Sequence, residues 1–318
     1  FADWPNFFGP KLDGKSDETG FKKELKEAPK PVWERTVGSA FSSFAAVGNR
    51  LYTCGESDKQ QTLYCLNADN GEIIWQKPFE KRFKNEHGDG TRATPTVDGD
   101  RVYVLGAYGK LICVDAATGK DIWEKQFNNV PTWAYSGSVL IEGDLAIVSA
   151  GKGHGSLVAY EKKTGKEVWK CGDDQVGYAT PYPFTFNNQR YVVGFMGNAI
   201  LIAEMKTGRE VWRMPWKTAW DVNAAMPVFH DGHLFVTSGY ETGAGLFKLS
   251  ADGDKLSATQ VWKSDVLLTK FQSAILHNGK LYASDQNALK CVDFLTGKEV
   301  WSVPRIKNGT MLLADGHF

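Results

Sequence analysis

Eight residues of this 318-residue chain are of types that recognise ligands and stand in the short segments leading into expected strands: Arg92, Trp133, Tyr135, Tyr178, Trp220, Asn223, Lys270 and Gln272. Aromatic faces stack on flat or aliphatic groups, a guanidinium grips carboxylates and carbonyls, and amides bond peptide backbone. Together they make a candidate surface for a protein partner or a small ligand. The same residues equally suit the plugging of a channel between strands, so they mark a place rather than a reaction.

Other candidate chemistry is thinner. His87, Gly88, Asp89 and Arg92 sit in an insertion, where a His–Asp pair would ligate a metal or exchange a proton. The six histidines, at 87, 154, 230, 233, 277 and 317, repeat no two-histidine metal spacing, and His230 and His233 flank an ordinary Asp-Gly turn. Gly151 to Ser156 reads GKGHGS, but strands surround it, so no helix N-terminus faces a phosphate and the segment is read as a hairpin turn. Asn308-Gly-Thr310 fits a glycosylation sequon that chance supplies often. No serine, threonine or cysteine lies in a nucleophile motif. No catalytic residue and no metal ligand is therefore assigned.

Cys65, Cys113 and Cys291 each stand ten residues before a tryptophan, on the same strand of three repeats, with Ala159 and Ile202 at the equivalent positions. These thiols are read as packing groups too far apart to pair. Cys54 and Cys171 are placed differently, and no CxxC spacing occurs.

The elements that hold these residues follow from a repeat. A turn glycine precedes tryptophan by four residues in NADNGEIIW, DAATGKDIW, EKKTGKEVW, EMKTGREVW and DFLTGKEVW, with looser copies at Trp33 and Trp262. The seven tryptophans, Trp33, Trp75, Trp123, Trp169, Trp212, Trp262 and Trp301, are 42, 48, 46, 43, 50 and 39 residues apart. That is the period of a four-stranded propeller blade. In the second unit the pattern predicts strands over Ala93–Val97, Arg101–Leu105 and Leu111–Asp115, then a fourth carrying Trp123. Units beginning near Ser43, Ser136, Thr180, Ala225 and Ser273 repeat the plan. No segment keeps a helical period, so the chain is expected to be all-β, a β-propeller of antiparallel blades. Each indole is expected to lie across the neighbouring blade as core.

Lysine plus arginine equals aspartate plus glutamate at 37 each, which leaves no basic face for nucleic acid. No apolar run approaches the roughly 18 residues of a membrane span. Residues 1–30 are read as an extended N-terminal segment and 31–318 as the propeller domain. Six units are complete. Trp33 belongs to an outer strand without its three companions, and TMLLADGHF reads as a first strand, a turn and the start of a second, so the C-terminal end is expected to be incomplete.

The TGKxxW turns, the Thr94-Pro95 and Thr180-Pro181 steps and the segment WPNFFGPKLDGKSDETG resemble the PQQ-like β-propeller repeat proteins over nearly the whole chain. The resemblance implies an eight-bladed ring in the complete protein, the seventh blade begun and the eighth represented by Trp33. It implies an exported, periplasmic or cell-envelope protein, with membrane association through an N-terminal anchor outside this sequence. The family includes quinoprotein dehydrogenases, which hold pyrroloquinoline quinone and calcium in the central funnel, and non-catalytic scaffolds such as BamB-type outer-membrane assembly lipoproteins. Dehydrogenases of that type carry a vicinal cysteine pair and a carboxylate calcium set; no Cys-Cys occurs here. The expected function is therefore a non-catalytic scaffold that needs no cofactor and binds a protein partner or small ligand through funnel and loops. A PQQ- and calcium-dependent alcohol or sugar dehydrogenase is the first alternative, and a propeller-based polysaccharide hydrolase or lyase the second.

Overall fold

The computed structural model describes every residue except Phe1, Lys23, Lys26 and Asp254. Among the described residues the only helical element is the three-residue 3-10 turn Ala219–Asp221, as the missing helical period requires. Six sheets each contain four antiparallel strands in chain order. The chain divides into two compact units, Phe1–Val139 with Leu312–Phe318, and Leu140–Met311.

The first unit holds sheet 1 (Ala45–Val47, Arg50–Ser57, Gln60–Asn67, Ile73–Lys81) and sheet 2 (Thr96–Asp98, Arg101–Leu105, Lys110–Asp115, Asp121–Gln126). Val102, Val104, Ile112 and Val114 of sheet 2 pack on Tyr52, Leu63 and Cys65 of sheet 1. The opening strand of sheet 2 is shorter than the expected Ala93–Val97. Pro95 has no N–H to give a ladder, the Thr94 N–H goes to Ser138 Oγ at 3.1 Å and the Thr96 hydroxyl to Val139 O at 2.7 Å. Leu313–Ala314 forms the expected strand at the start of a new unit and pairs in parallel with Lys15–Ser16. The Asp315-Gly316 turn and an Ala314–His317 bridge follow it.

The second unit holds sheet 3 (Leu140–Glu142, Leu145–Gly151, Gly155–Glu161, Glu167–Cys171) and sheet 4 (Tyr182–Phe186, Gln189–Phe195, Ala199–Glu204, Glu210–Pro215). Sheet 5 (Val228–His230, His233–Ser238, Gly243–Asp252, Lys255–Ser264) and sheet 6 (Ile275–His277, Lys280–Ser284, Ala288–Asp293, Glu299–Pro304) follow. GKGHGS is the hairpin between the second and third strands of sheet 3, and the Gly153 N–H there is taken by the Asp173 carboxylate at 2.6 Å.

The tryptophan repeat has a defined contact. The Trp75 indole N–H donates to Ala116 O at 3.1 Å, Trp169 to Met205 O at 3.0 Å and Trp262 to Phe294 O at 3.0 Å. In each case the acceptor lies three residues before a turn glycine with positive φ, namely Gly119, Gly208 and Gly297. A Cβ on Gly208 would stand 2.5 Å from the indole of Trp169, so only glycine lets the ring lie flat on the turn. Trp33 makes the same contact with Ala68 O and Gly71, although its segment is not a strand as expected. Every outer strand also carries a β-bulge where it passes the cysteine-equivalent residue, so that Cys65 faces Trp75 and Leu66 faces Ile73. The skipped residue is always β-branched: Ile74, Ile122, Val168, Val211, Val261 or Val300. A bulge sharpens the local twist and turns the next side chain off the sheet.

Burial of these tryptophans is graded. Trp123 and Trp169 are buried, whereas Trp33, Trp75, Trp212 and Trp262 are half-buried. Trp301 departs from the core expectation at 41 % exposure, since it rests on Tyr282 of its own sheet with its other face in solvent. All five cysteines are buried and free, which for Cys65, Cys113 and Cys291 agrees with their reading as packing groups.

Candidate functional site

In the first unit the Arg92 side chain is a staple. Its guanidinium donates to Gly88 O at 2.6 Å, to Gly90 O and to Trp133 O at 3.3 Å. Its faces are covered by Phe83 at 4.5 Å and Phe41 at 5.2 Å. Three carbonyls and two rings thus use the cation that the sequence offered to a ligand, and burial pulls its pKa below the ordinary arginine value. Gly88 has φ of 117° and a Cβ there would strike Phe41 at 2.5 Å, so the staple depends on that glycine. His87 packs against Trp133 in a tilted pair at 4.8 Å between centroids, while Asp89 lies 3.5 Å from Arg82 and accepts the Asn85 N–H. The proposed His–Asp couple is divided between different partners. Tyr135 is buried, with its hydroxyl donating to Asn129 O at 3.0 Å and its pKa pushed up by burial.

In the second unit Asn223 is a buried hub. Its amide donates to Met196 O at 2.7 Å and Trp216 O at 3.1 Å and accepts from Ser238 Oγ at 2.7 Å. Buried Tyr178 and its neighbour Ala179 both donate backbone N–H groups to Asn223 O. Gln272, also buried, donates to Asn308 O at 2.8 Å. These three residues position loops.

Trp220 and Lys270 stand differently. Trp220 is 69 % exposed, and both Trp220 and Asp221 have left-handed backbones, with φ of 64° and 57°. The Val222 N–H closes that turn on Ala219 O. A second turn repeats the pattern, with Tyr240 at φ 54°, Glu241 at 61° and the Thr242 N–H bonded to Gly239 O. Turns with two positive φ angles are the province of Asn and Gly; here an aromatic followed by an acid fills both. The second turn follows the second strand of sheet 5, and Asn223, just beyond the first turn, accepts from Ser238 Oγ at the end of that strand, which brings both turns to one end of sheet 5. The Lys270 ammonium lies 4.8 Å over the Tyr240 ring, and Phe271 beside it is 57 % exposed. Tyr240 and Phe271 were missed by the sequence reading. The signal was a hairpin tip, Gly-Tyr-Glu-Thr, with none of the residues its backbone prefers.

Two enclosed carboxylates are saturated within the fold. Glu80 accepts from Gln61 Nε2, Tyr108 N and Lys110 N, and burial raises its pKa against those bonds. Asp285, wholly buried, pairs with Lys290 at 3.1 Å. Burial pushes its carboxyl upward, but the N–H groups of Asn287 and Ala288 and the Lys290 ammonium outweigh that and hold it below the ordinary aspartate value. A calcium and quinone site draws on six to eight oxygen ligands around one point. Among the described residues no group of three His, Cys, Asp or Glu side chains stands together.

Comparison with known proteins places this geometry. Over 156 residues, 46 % of this chain and 39 % of the relative, it is 30 % identical to the outer membrane protein assembly factor BamB of Burkholderia pseudomallei. It is 28 % identical to 1-butanol dehydrogenase (quinone) of Thauera butanivorans over 179 residues, 50 % of this chain and 28 % of that enzyme. The chain thus spans well under two thirds of the length of these curated relatives. Among solved structures, quinohemoprotein alcohol dehydrogenase from Comamonas testosteroni superposes with a TM-score of 0.62 at 14 % identity, covering 99 % of this chain and 69 % of that one. BamB from Moraxella catarrhalis superposes at 0.58 and 15 % identity, covering 84 % and 76 %. Both likenesses establish the β-propeller fold. The family model described as outer membrane protein assembly factor BamB matches residues 26–171 and 195–316. With most of its length matched in this way, the chain belongs to that family of PQQ-like propeller repeat proteins.

Proposed function

We propose that the chain is a non-catalytic scaffold of the bacterial cell envelope that captures a protein partner on the rim formed by Trp220, Tyr240 and Phe271. The observation that carries this reading is the pair of left-handed turns presenting aromatic residues at one end of sheet 5. Each non-glycine residue in that conformation costs about 1–2 kcal/mol, and strain of this kind gathers at functional sites. Exposed Trp220 and Phe271 and half-buried Tyr240, next in sequence to Asp221, Lys270 and Glu241, have the composition of interface anchors within a polar rim. The family description and the BamB relatives favour a protein partner at the outer membrane.

The test is a photocrosslinking amino acid placed at 220 and, as a control in the first unit, at 41, in cells of the source organism. Capture of a discrete protein from position 220, lost in a Tyr240→Ala background, supports the rim. Capture from position 41 alone moves the surface elsewhere. The match to a quinone-dependent butanol dehydrogenase keeps a second reading in play. Titration with pyrroloquinoline quinone and calcium, followed by tryptophan quenching and dye-linked alcohol oxidation, decides it: saturable binding with turnover would replace the scaffold by an enzyme.

A further inference from the structure

We infer that His230 and His233 form a two-histidine site for a divalent transition-metal ion, with copper held most tightly. Their spacing in sequence does not disclose it; the turn between them does. Asp231 and Gly232 have φ of 45° and 70°, a two-residue turn that sets His230 directly opposite His233 in the ladder. Directly opposed residues of an antiparallel pair project to one face with Cβ atoms about 4.5–5.5 Å apart. Both imidazoles meet the Phe294 ring edge-on, at 6.0 and 6.3 Å between centroids. That ring is buried, and its residue's carbonyl receives the Trp262 indole, so the floor beneath the pair is rigid.

The hydrogen bonding of His233 favours ligation. Its Nδ1 lies 2.6 Å from Asp231 O. A carbonyl only accepts, so Nδ1 carries the proton and Nε2 keeps its lone pair, the arrangement in which a backbone oxygen orients a metal-binding imidazole. Nitrogen-to-metal bonds of about 2.0–2.1 Å, the length found for zinc, let two opposed rings share one ion. No group of three candidate ligands stands together among the described residues, so water completes the shell and the ion exchanges readily. Imidazole donors with open positions favour Cu²⁺ over the other divalent first-row ions. The neighbouring sheet supplies a contrast: His277 is opposed by Lys280, whose ammonium is engaged by Asp293 at 2.6 Å.

The experiment titrates the purified chain with CuCl₂, by calorimetry and by electron paramagnetic resonance, in the parent and in His230→Ala, His233→Ala and His277→Ala. One site with two nitrogen donors is expected. Loss of a ligand should weaken it by at least the tenfold or so that loss of a supporting partner produces, for His230→Ala and for His233→Ala alike. His277→Ala should bind as the parent does. Melting temperatures without copper should agree across the set, since the altered rings lie over Phe294 rather than in the core. Unchanged affinity in both His230→Ala and His233→Ala, or a single-nitrogen spectrum in the parent, overturns the site.

Discussion

Trp169 and Trp220 belong to the same unit and answer to opposite rules. Trp169 is buried flat on Gly208, its N–H satisfied by a carbonyl, its backbone in a paired outer strand. Trp220 is largely in water, on a backbone that favours glycine, in a turn with no strand on either side of it. The first indole is where the fold needs it; the second is held where the fold gains nothing from it. An aromatic residue that is locally unfavourable and globally unburied is a better pointer to recognition than aromatic content, which the docking tryptophans alone would have satisfied.

The contrast breaks most sharply on the docking side. Trp169→Ala should destabilise the chain by about 3–5 kcal/mol, seen in chemical denaturation, and Gly208→Val should approach it from the other face of the contact. If either leaves the midpoint unmoved, the docking contact is not what holds neighbouring sheets together. Next in size is Asp285. Removing it leaves the largely buried Lys290 ammonium with Val266 O at 2.9 Å and Glu299 at 4.0 Å but without its close carboxylate, for a loss of about 3 kcal/mol in Asp285→Ala.

The same carboxyl predicts a pH dependence. Its folded pKa is depressed, so the unfolded state takes up the proton more readily. The stabilisation is complete above about pH 4, the ordinary aspartate range, and disappears as pH falls through the folded value. Melting curves of Asp285→Asn should therefore lack that part of the acid decline. A decline identical to the parent's would assign it to other groups.

Arg92→Ala falls between the classes. Three charge-assisted bonds to carbonyls lose their donor, so about 2 kcal/mol should be lost, with melting temperature as the measure. An unchanged melting temperature would return Arg92 to the surface role its sequence position suggested. The smallest effect has the opposite sign. Trp220→Gly relieves a left-handed tryptophan and should stabilise by about 1 kcal/mol while abolishing crosslinking from a photoreactive residue placed at 271. Destabilisation would mean that Trp220 is structural after all.

Sequence carried the architecture well because the repeat encodes it redundantly: turn glycine, β-branched bulge residue and tryptophan recur together, and each has one geometric role. The sheets, the buried thiols and the hairpin at GKGHGS all follow from that periodicity. The loop residues were harder because nothing repeats there. Arg92, Asn223 and Gln272 are polar residues before strands in sequence; only tertiary packing turns their donors onto carbonyls. Tyr240 escaped because a tip of Tyr-Glu contradicts its own backbone, and such local contradictions become visible only when φ is known. His230 and His233 were seen as flanking a turn, but their opposition depends on that turn having two residues, a matter of register.

The parallel pairing of Lys15–Ser16 with Leu313–Ala314 also sets an order of events. Each four-stranded sheet closes through neighbours in sequence and can form as soon as its own residues are available. The clasp cannot, because a bond such as Gly20 N–H to Asp315 joins residues 295 positions apart. Contacts of so large a separation come late in folding. With two residues on each side it is also a small latch, so the first unit should acquire its last strand pair only after its sheets are formed and release it before them.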